Sequence, residues 1–399
     1  MIINEKMYAL GAKRSVIREL FEYGKKRKAE IGEDRVYDFS LGNPSVPPPN
    51  EVKEAIIRLL DTPNETALHG YTSAQGDRGV RATIAKNYAE KYGFAFDPEL
   101  MYMTCGAAAS LAITLNAIVK DAEDEIVTFA PFFPEYRVFT EKAGATLVSV
   151  SPAEGLDIDV DAFAAAINAH TRAVIINTPN NPSGVVYSDE KINAVAEVLR
   201  KASAKYGTPI YLISDEPYRE LIFDGKKAPC LPLFYKDVVV CYSYSKALSL
   251  PGERIGYIAV SPQAAEAQEL YLAVCGAGRA LGYVCAPSLF QFLVKECDKL
   301  TGDIDAYREN RDLLYGALTK YGFTCAYPSG AFYLFVQSPT GKAADLAEAA
   351  KAEDVLVVPS DSFGCTGYVR IAYCVSKDMI ERSLPAFERI ARKLGLIKQ

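Results

Sequence analysis

The chain has 399 residues, 49% hydrophobic and 24% charged, a globular composition in a length that exceeds one hydrophobic core, so two domains are expected. A net charge of −6 argues against a nucleic-acid surface, because neutralising phosphates needs a basic face. Nine cysteines without a C-x-x-C pair fit reduced thiols in a cytoplasmic protein rather than a disulfide framework, and two histidines (His69, His170) argue against a zinc site.

At the start, MIINEKMYALGAKRS has no apolar signal core, and no run of about 18 uncharged apolar residues that would predict a membrane span follows anywhere. Residues 42–50 (GNPSVPPPN) form a stiff, extended linker. From about residue 97 helix and strand alternate. A helix is predicted over 107–119 and strands over 125–130 and 145–150. Asp159 caps a helix to about residue 169, and a buried strand follows over 172–177. Ser188 caps a helix to about 206, then come strands over 209–214 and 238–242. Apolar strands separated by helices predict an α/β fold with a mostly parallel sheet covered on both faces. After residue 288 the texture changes. A charged helical stretch to about 321 precedes strands over 330–336 and 368–374, and a last helix carries Ser376 as its cap. Pro385 is expected to kink that helix or shift its start. The prediction is a large domain over 45–287 and a smaller α+β domain made of 1–44 and 288–399.

In such sheets ligands bind beyond the carboxyl ends of the strands, and the chemically suggestive residues fall there. Lys246 lies in SYSKALSLPGERIGY (243–257), among the hydroxyls of Ser243 and Ser245 and ahead of Arg254. An amine held there can form a Schiff base with a carbonyl, and serines with a permanently charged arginine can clamp a phosphate. Pyridoxal phosphate needs both, although the loop alone reads equally as a polar turn. Asp215, in SDEPYREL, can keep a pyridine nitrogen protonated, or it can cap a helix. Tyr218 can offer a phenol to the ring's 3′ oxygen. Asn181 sits in NTPNNPSG, a turn that can aim its amide into a site. Gly106, Ala107 and Ala108 open a helix whose free N–H groups suit a phosphate. Phe133, in PFFPEY, can stack on a planar ring or simply be buried. Arg370, in the strand sequence YVRIA, needs an anionic partner if buried, and its fork suits a carboxylate.

The order of Gly42-Asn43-Pro44, Tyr71, Gly106, Phe133, Asn181-Pro182-x-Gly184, Asp215-x-x-Tyr218, Ser243-x-x-Lys246 and Arg370 resembles the class I/II aminotransferases of pyridoxal-phosphate fold type I, over residues 35–375. The resemblance implies a pyridoxal 5′-phosphate enzyme moving an amino group between an amino acid and a 2-oxo acid. It implies that Lys246 holds the cofactor as a Schiff base and carries the proton, with Asp215 on the pyridine nitrogen and Tyr218 and Asn181 on the ring hydroxyl. Phe133 takes the ring-stacking place. Ser243, Arg254, Gly106, Ala107 and Ala108 form the phosphate cradle, and Arg370 and Gly42 meet the substrate carboxylate. Tyr71 reaches the phosphate across a dimer interface, which implies a homodimer with shared sites. Ala107 and Ala108 stand where many relatives have a hydroxyl residue. Arg279, in GAGRALGY, is a second-carboxylate candidate by rough position only. The rival activity is a β-eliminating carbon–sulfur lyase of the cystathionine β-lyase type. A transcription regulator with an aminotransferase-like sensor would need a DNA-binding domain, for which the residues ahead of the linker leave no room.

Overall fold

A computed structural model describes residues 2–12 and 16–397. Near the N-terminus a two-residue strand, β1 (Tyr37–Asp38), follows the helix Val16–Ile31. Seven strands then build one sheet: β2 (Met101–Thr104), β3 (Glu125–Phe129), β4 (Thr146–Val150), β5 (Thr171–Asn177), β6 (Tyr211–Asp215), β7 (Val238–Ser243) and β8 (Gly256–Val260). Their order is β2-β8-β7-β6-β5-β3-β4, and only β8 runs against its neighbours. The expected α/β architecture with a mostly parallel sheet is therefore present.

The strands read as continuous apolar runs because both faces are buried, with alternate side chains entering different cores. Along β7, Val238, Val240 and Tyr242 pack on one side, whereas Val239 and Cys241 pack on the other. Along β5, Val174 and Ile176 oppose Ala173 and Ile175 in the same way.

The remaining strands are β9 (Thr324–Cys325), β10 (Tyr333–Gln337), β11 (Val355–Leu356), β12 (Val358–Pro359) and β13 (Tyr368–Ala372). Four of them form an antiparallel sheet in the order β12-β13-β10-β9, over its own apolar core. β1 pairs with β11, and Arg27 forms an ion pair with Asp354 at 2.8 Å, so the N-terminal segment joins the C-terminal part of the chain.

The helix caps act where they were expected: Asp159, Ser188 and Ser376 accept the N–H groups of Ala162, Lys191 and Met379. Several boundaries differ, among them the strand expected over 330–336, which is Tyr333–Gln337, and the one expected over 368–374, which ends at Ala372. The helix after Asp159 stops at Ala166, and the stretch from 288 is two helices, Ser288–Cys297 and Ile304–Lys320, the second capped by Asp303. Pro385 does not shift the start of the last helix, Lys377–Lys393, which continues through it. The proline lies on the exposed face, where the carbonyl it leaves unpaired can turn to water.

Candidate active site

The sheet's polarity gathers the candidates along one edge. β2, β3, β5, β6 and β7 end there, and β8 begins there because it runs the opposite way. Arg254, just before β8, thus meets Gly106, just after β2, and Ser243, the last residue of β7. A cavity of about 300 Å³ opens at this edge, lined by Gly42, Ala107, Ala108, Phe133, Asn181, Asp215, Tyr218, Ser243, Lys246, Arg254 and Arg370. Of the residues read from the sequence, Gly106 does not line the cavity itself but directly precedes Ala107, which does. Tyr71 and Arg279 do not line the cavity of their own chain, and Tyr71 is almost fully exposed.

Lys246 Nζ donates to the Gly42 carbonyl at 2.6 Å and stands over the Phe332 ring at 5.3 Å. Burial lowers its pKa to about 8, and the nearby Arg370 and Arg254 cations push the same way. Asp215 ends β6 without capping a helix, because the chain continues into a turn. The Tyr136 hydroxyl donates to its Oδ2 at 2.5 Å, while Oδ1 is buried with no partner among the described residues. Burial raises its pKa to about 7, against the opposing Tyr136 bond, and neighbouring Glu216 adds to the rise. The Asn177 amide donates to the Asp215 carbonyl at 2.9 Å and accepts the Asn181 N–H at 2.7 Å, which fixes the turn that presents Asn181. Arg370 donates to the Ser40 carbonyl at 2.6 Å and to Asn181 Oδ1 at 3.3 Å, leaving Nε buried and, among the described residues, unpaired.

At the other end of the cavity no side chain caps the helix Ala107–Ile118. Gly106 holds φ at 88°, and a Cβ there would lie 2.9 Å from Arg254 Nη2 and 3.3 Å from Ser243 Oγ. The Ser243 and Ser245 hydroxyls are bonded at 2.7 Å, and Arg254 Nη1 reaches Ser245 Oγ at 3.5 Å. Free N–H groups, paired hydroxyls and a guanidinium converge as a phosphate site requires. Ser245 brings a hydroxyl to the cavity wall, where Ala107 and Ala108 bring none.

These donors fit pyridoxal phosphate. The orphaned Asp215 Oδ1 calls for a buried N–H, the Lys246 amine suits an aldehyde, and the Gly106 cradle suits the phosphate. Sequence reading gave no role to Tyr136, Asn177 or Tyr333; Ser245 entered only the general reading of serines and an arginine as a phosphate clamp and not the cradle that the resemblance implied. Tyr136 lies inside PFFPEY and Asn177 inside NTPNNPSG, so both were within motifs already singled out. Tyr333 carried no such signal.

Comparison with known proteins agrees with this geometry. The family model for aminotransferase class I and II matches residues 34–387. The crystal structure of an amino transferase from Eubacterium rectale superposes with a TM-score of 0.96 at 56% identity, covering 98% of this chain and 99% of that one. The aspartate/prephenate aminotransferase of Thermus thermophilus is 30% identical over 373 residues, 89% of this chain and 90% of its own. A probable aspartate aminotransferase from Methanocaldococcus jannaschii is 28% identical over 387 residues, 95% of this chain and 97% of its own. These relatives are named as aminotransferases, which disfavours the lyase reading. The chain belongs to the class I and II aminotransferases, and is a pyridoxal-phosphate enzyme that transfers an amino group between an amino acid and a 2-oxo acid.

Proposed function

We propose that Lys246 anchors the cofactor covalently through Nζ and, once released, takes the proton from the substrate α carbon. The observation that carries this reading is the Lys246 amine, which lines the cavity on the Gly42 carbonyl at 2.6 Å with its pKa lowered to about 8. At neutral pH about a tenth of such an amine is uncharged, enough for it to act as a base, whereas an ordinary lysine near 10.5 is almost wholly protonated. The bound cofactor supplies an electron sink. Asp215 holds the protonated pyridine nitrogen through Oδ1, and Tyr136 orients the carboxylate from Oδ2. Tyr218 and Asn181 hold the ring oxygen, and Phe133 covers the ring. Ser243, Ser245, Arg254 and the N–H groups from Gly106 to Ala108 grip the phosphate. Arg370 orients the substrate carboxylate, with Gly42 beside it.

Lys246→Ala tests the assignment. The variant should lose the long-wavelength absorbance of covalently held cofactor together with transamination. Transamination at the wild-type rate would overturn it.

The same reading includes a homodimer with shared sites, in which Tyr71 serves the neighbouring subunit's phosphate. Its support is a tyrosine almost wholly exposed in the isolated chain and absent from its own cavity. Mixing Lys246→Ala with Tyr71→Phe subunits should then restore one intact site per hybrid dimer, whereas no gain on mixing would sink the shared site. A cytoplasmic location is consistent with nine free cysteines, and no described helix is long and apolar enough to cross a membrane. The division into a unit over 45–287 and a second over 1–44 with 288–399 is supported by the separate sheets, but the helix Ser288–Cys297 packs through Leu293, Val294 and Cys297 into the first unit's core, so the boundary is better drawn after that helix.

A further inference from the structure

Tyr333 has no place in the roles above, yet its hydroxyl touches the centre of the site. It belongs to β10 in the four-stranded sheet, is 2% exposed, and lines the cavity. Its hydroxyl lies 2.9 Å from that of Tyr218, which follows β6 of the seven-stranded sheet, so the pair joins the two sheets across the cavity. The rings meet edge to face, 5.8 Å apart at 81°. The Arg370 guanidinium lies over the Tyr333 ring at 4.8 Å. A Cβ on Gly42 would lie 2.0 Å from the Tyr333 hydroxyl, so that hydroxyl occupies the space a side chain would fill. The carbonyl of this same Gly42 receives Lys246. Asp215 and Tyr136 face the pair from the seven-stranded sheet's side, Arg370 and Cys374 from the β13 side, and Lys246 from across Gly42.

A phenol has one proton to give. When Tyr218 spends its proton on the cofactor's ring oxygen, the hydrogen bond between the two tyrosines can run only from Tyr333 to Tyr218. We infer that Tyr333 is a positioning residue, which donates to the Tyr218 oxygen and so aims and strengthens the Tyr218 hydroxyl toward the ring oxygen. Chained hydrogen bonds polarise one another, so the second phenol makes the first a better donor. A stronger donor favours the negatively charged ring oxygen and therefore the deprotonated form of the bound chromophore. This inference rests on the reading that Tyr218 serves that oxygen.

The test is a pH titration of the cofactor absorbance in the holoenzyme, which needs no turnover. Tyr333→Phe removes only the hydroxyl and should raise the midpoint by about half a unit to one unit, the worth of one ordinary hydrogen bond. Tyr218→Phe should raise it further. The double variant should match Tyr218→Phe alone, because Tyr333 acts through Tyr218. Gly42→Ala, whose methyl would displace the Tyr333 hydroxyl, should also move the midpoint upward. Because phenylalanine keeps a ring beneath Arg370, amino acid affinity in Tyr333→Phe should stay within about threefold. An unmoved midpoint in Tyr333→Phe, or shifts that simply add in the double variant, would overturn the inference. An unmoved midpoint in Tyr218→Phe would instead remove Tyr218 from the ring oxygen, and the role of Tyr333 would fall with it.

Discussion

Replacing Asp215 with asparagine probes the balance on which the site depends. The carboxyl is wholly buried, and its pKa rises from the ordinary 3.8 to about 7. The unfolded chain releases this proton near 3.8 and the folded apoprotein near 7, so the folded form binds more protons between those values. Its stability therefore falls as pH rises through that window, and the whole loss is present above it. At 1.36 kcal/mol per unit, the ionised carboxylate costs the apoprotein about 4 kcal/mol at pH 8, of which about 2–3 kcal/mol accrues between pH 5 and pH 8. Asparagine keeps an acceptor for the Tyr136 hydroxyl and carries no charge to desolvate. Urea unfolding of apoprotein at fixed concentration, at pH 5 and pH 8, should show Asp215→Asn gaining on the wild type by that pH-dependent amount. With cofactor the order should reverse, because the amide cannot hold the pyridine nitrogen protonated, and transamination should collapse. Identical pH dependence of wild-type and variant apoprotein would refute the argument that burial of this charge is what makes the site receptive.

Arg370→Ala should raise the KM for the amino acid by about 10- to 100-fold, the loss of a buried charge-assisted pair, while cofactor absorbance persists. Ser245→Ala should weaken cofactor affinity by about fivefold, measured by equilibrium dialysis of apoenzyme, since it removes one hydroxyl from the cradle. Gly106→Ala should weaken it more, because the methyl would meet Arg254 Nη2 at 2.9 Å from a backbone at φ 88°. An unchanged Kd for Gly106→Ala would show that the phosphate sits elsewhere.

The inner parallel strands were legible in the sequence because burial on both faces leaves uninterrupted apolar runs such as Val238 to Tyr242, whereas β8, which brings Arg254 to the site, and the two-residue strands β1, β9, β11 and β12 were not read. Helix starts were legible because Asp159, Ser188 and Ser376 satisfy N–H groups only three residues away. The strand-end positions of Gly106, Asn181, Asp215 and Lys246 were equally local. Helix ends and Pro385 were harder, because packing and solvent exposure override propensity there.

Only the tertiary structure decided what these residues meet. The Lys246 amine reaches a carbonyl 204 residues away, and Arg370 reaches the Ser40 carbonyl 330 residues away. Tyr136 finds Asp215 because β3 and β6 both flank β5, and Tyr333 finds Tyr218 because two sheets meet at Gly42. Periodicity and capping act over a few residues and so are written in the chain. Strand order and the meeting of sheets are set by the burial of whole surfaces, which gives a single tyrosine in an apolar strand its partner only after the chain has folded.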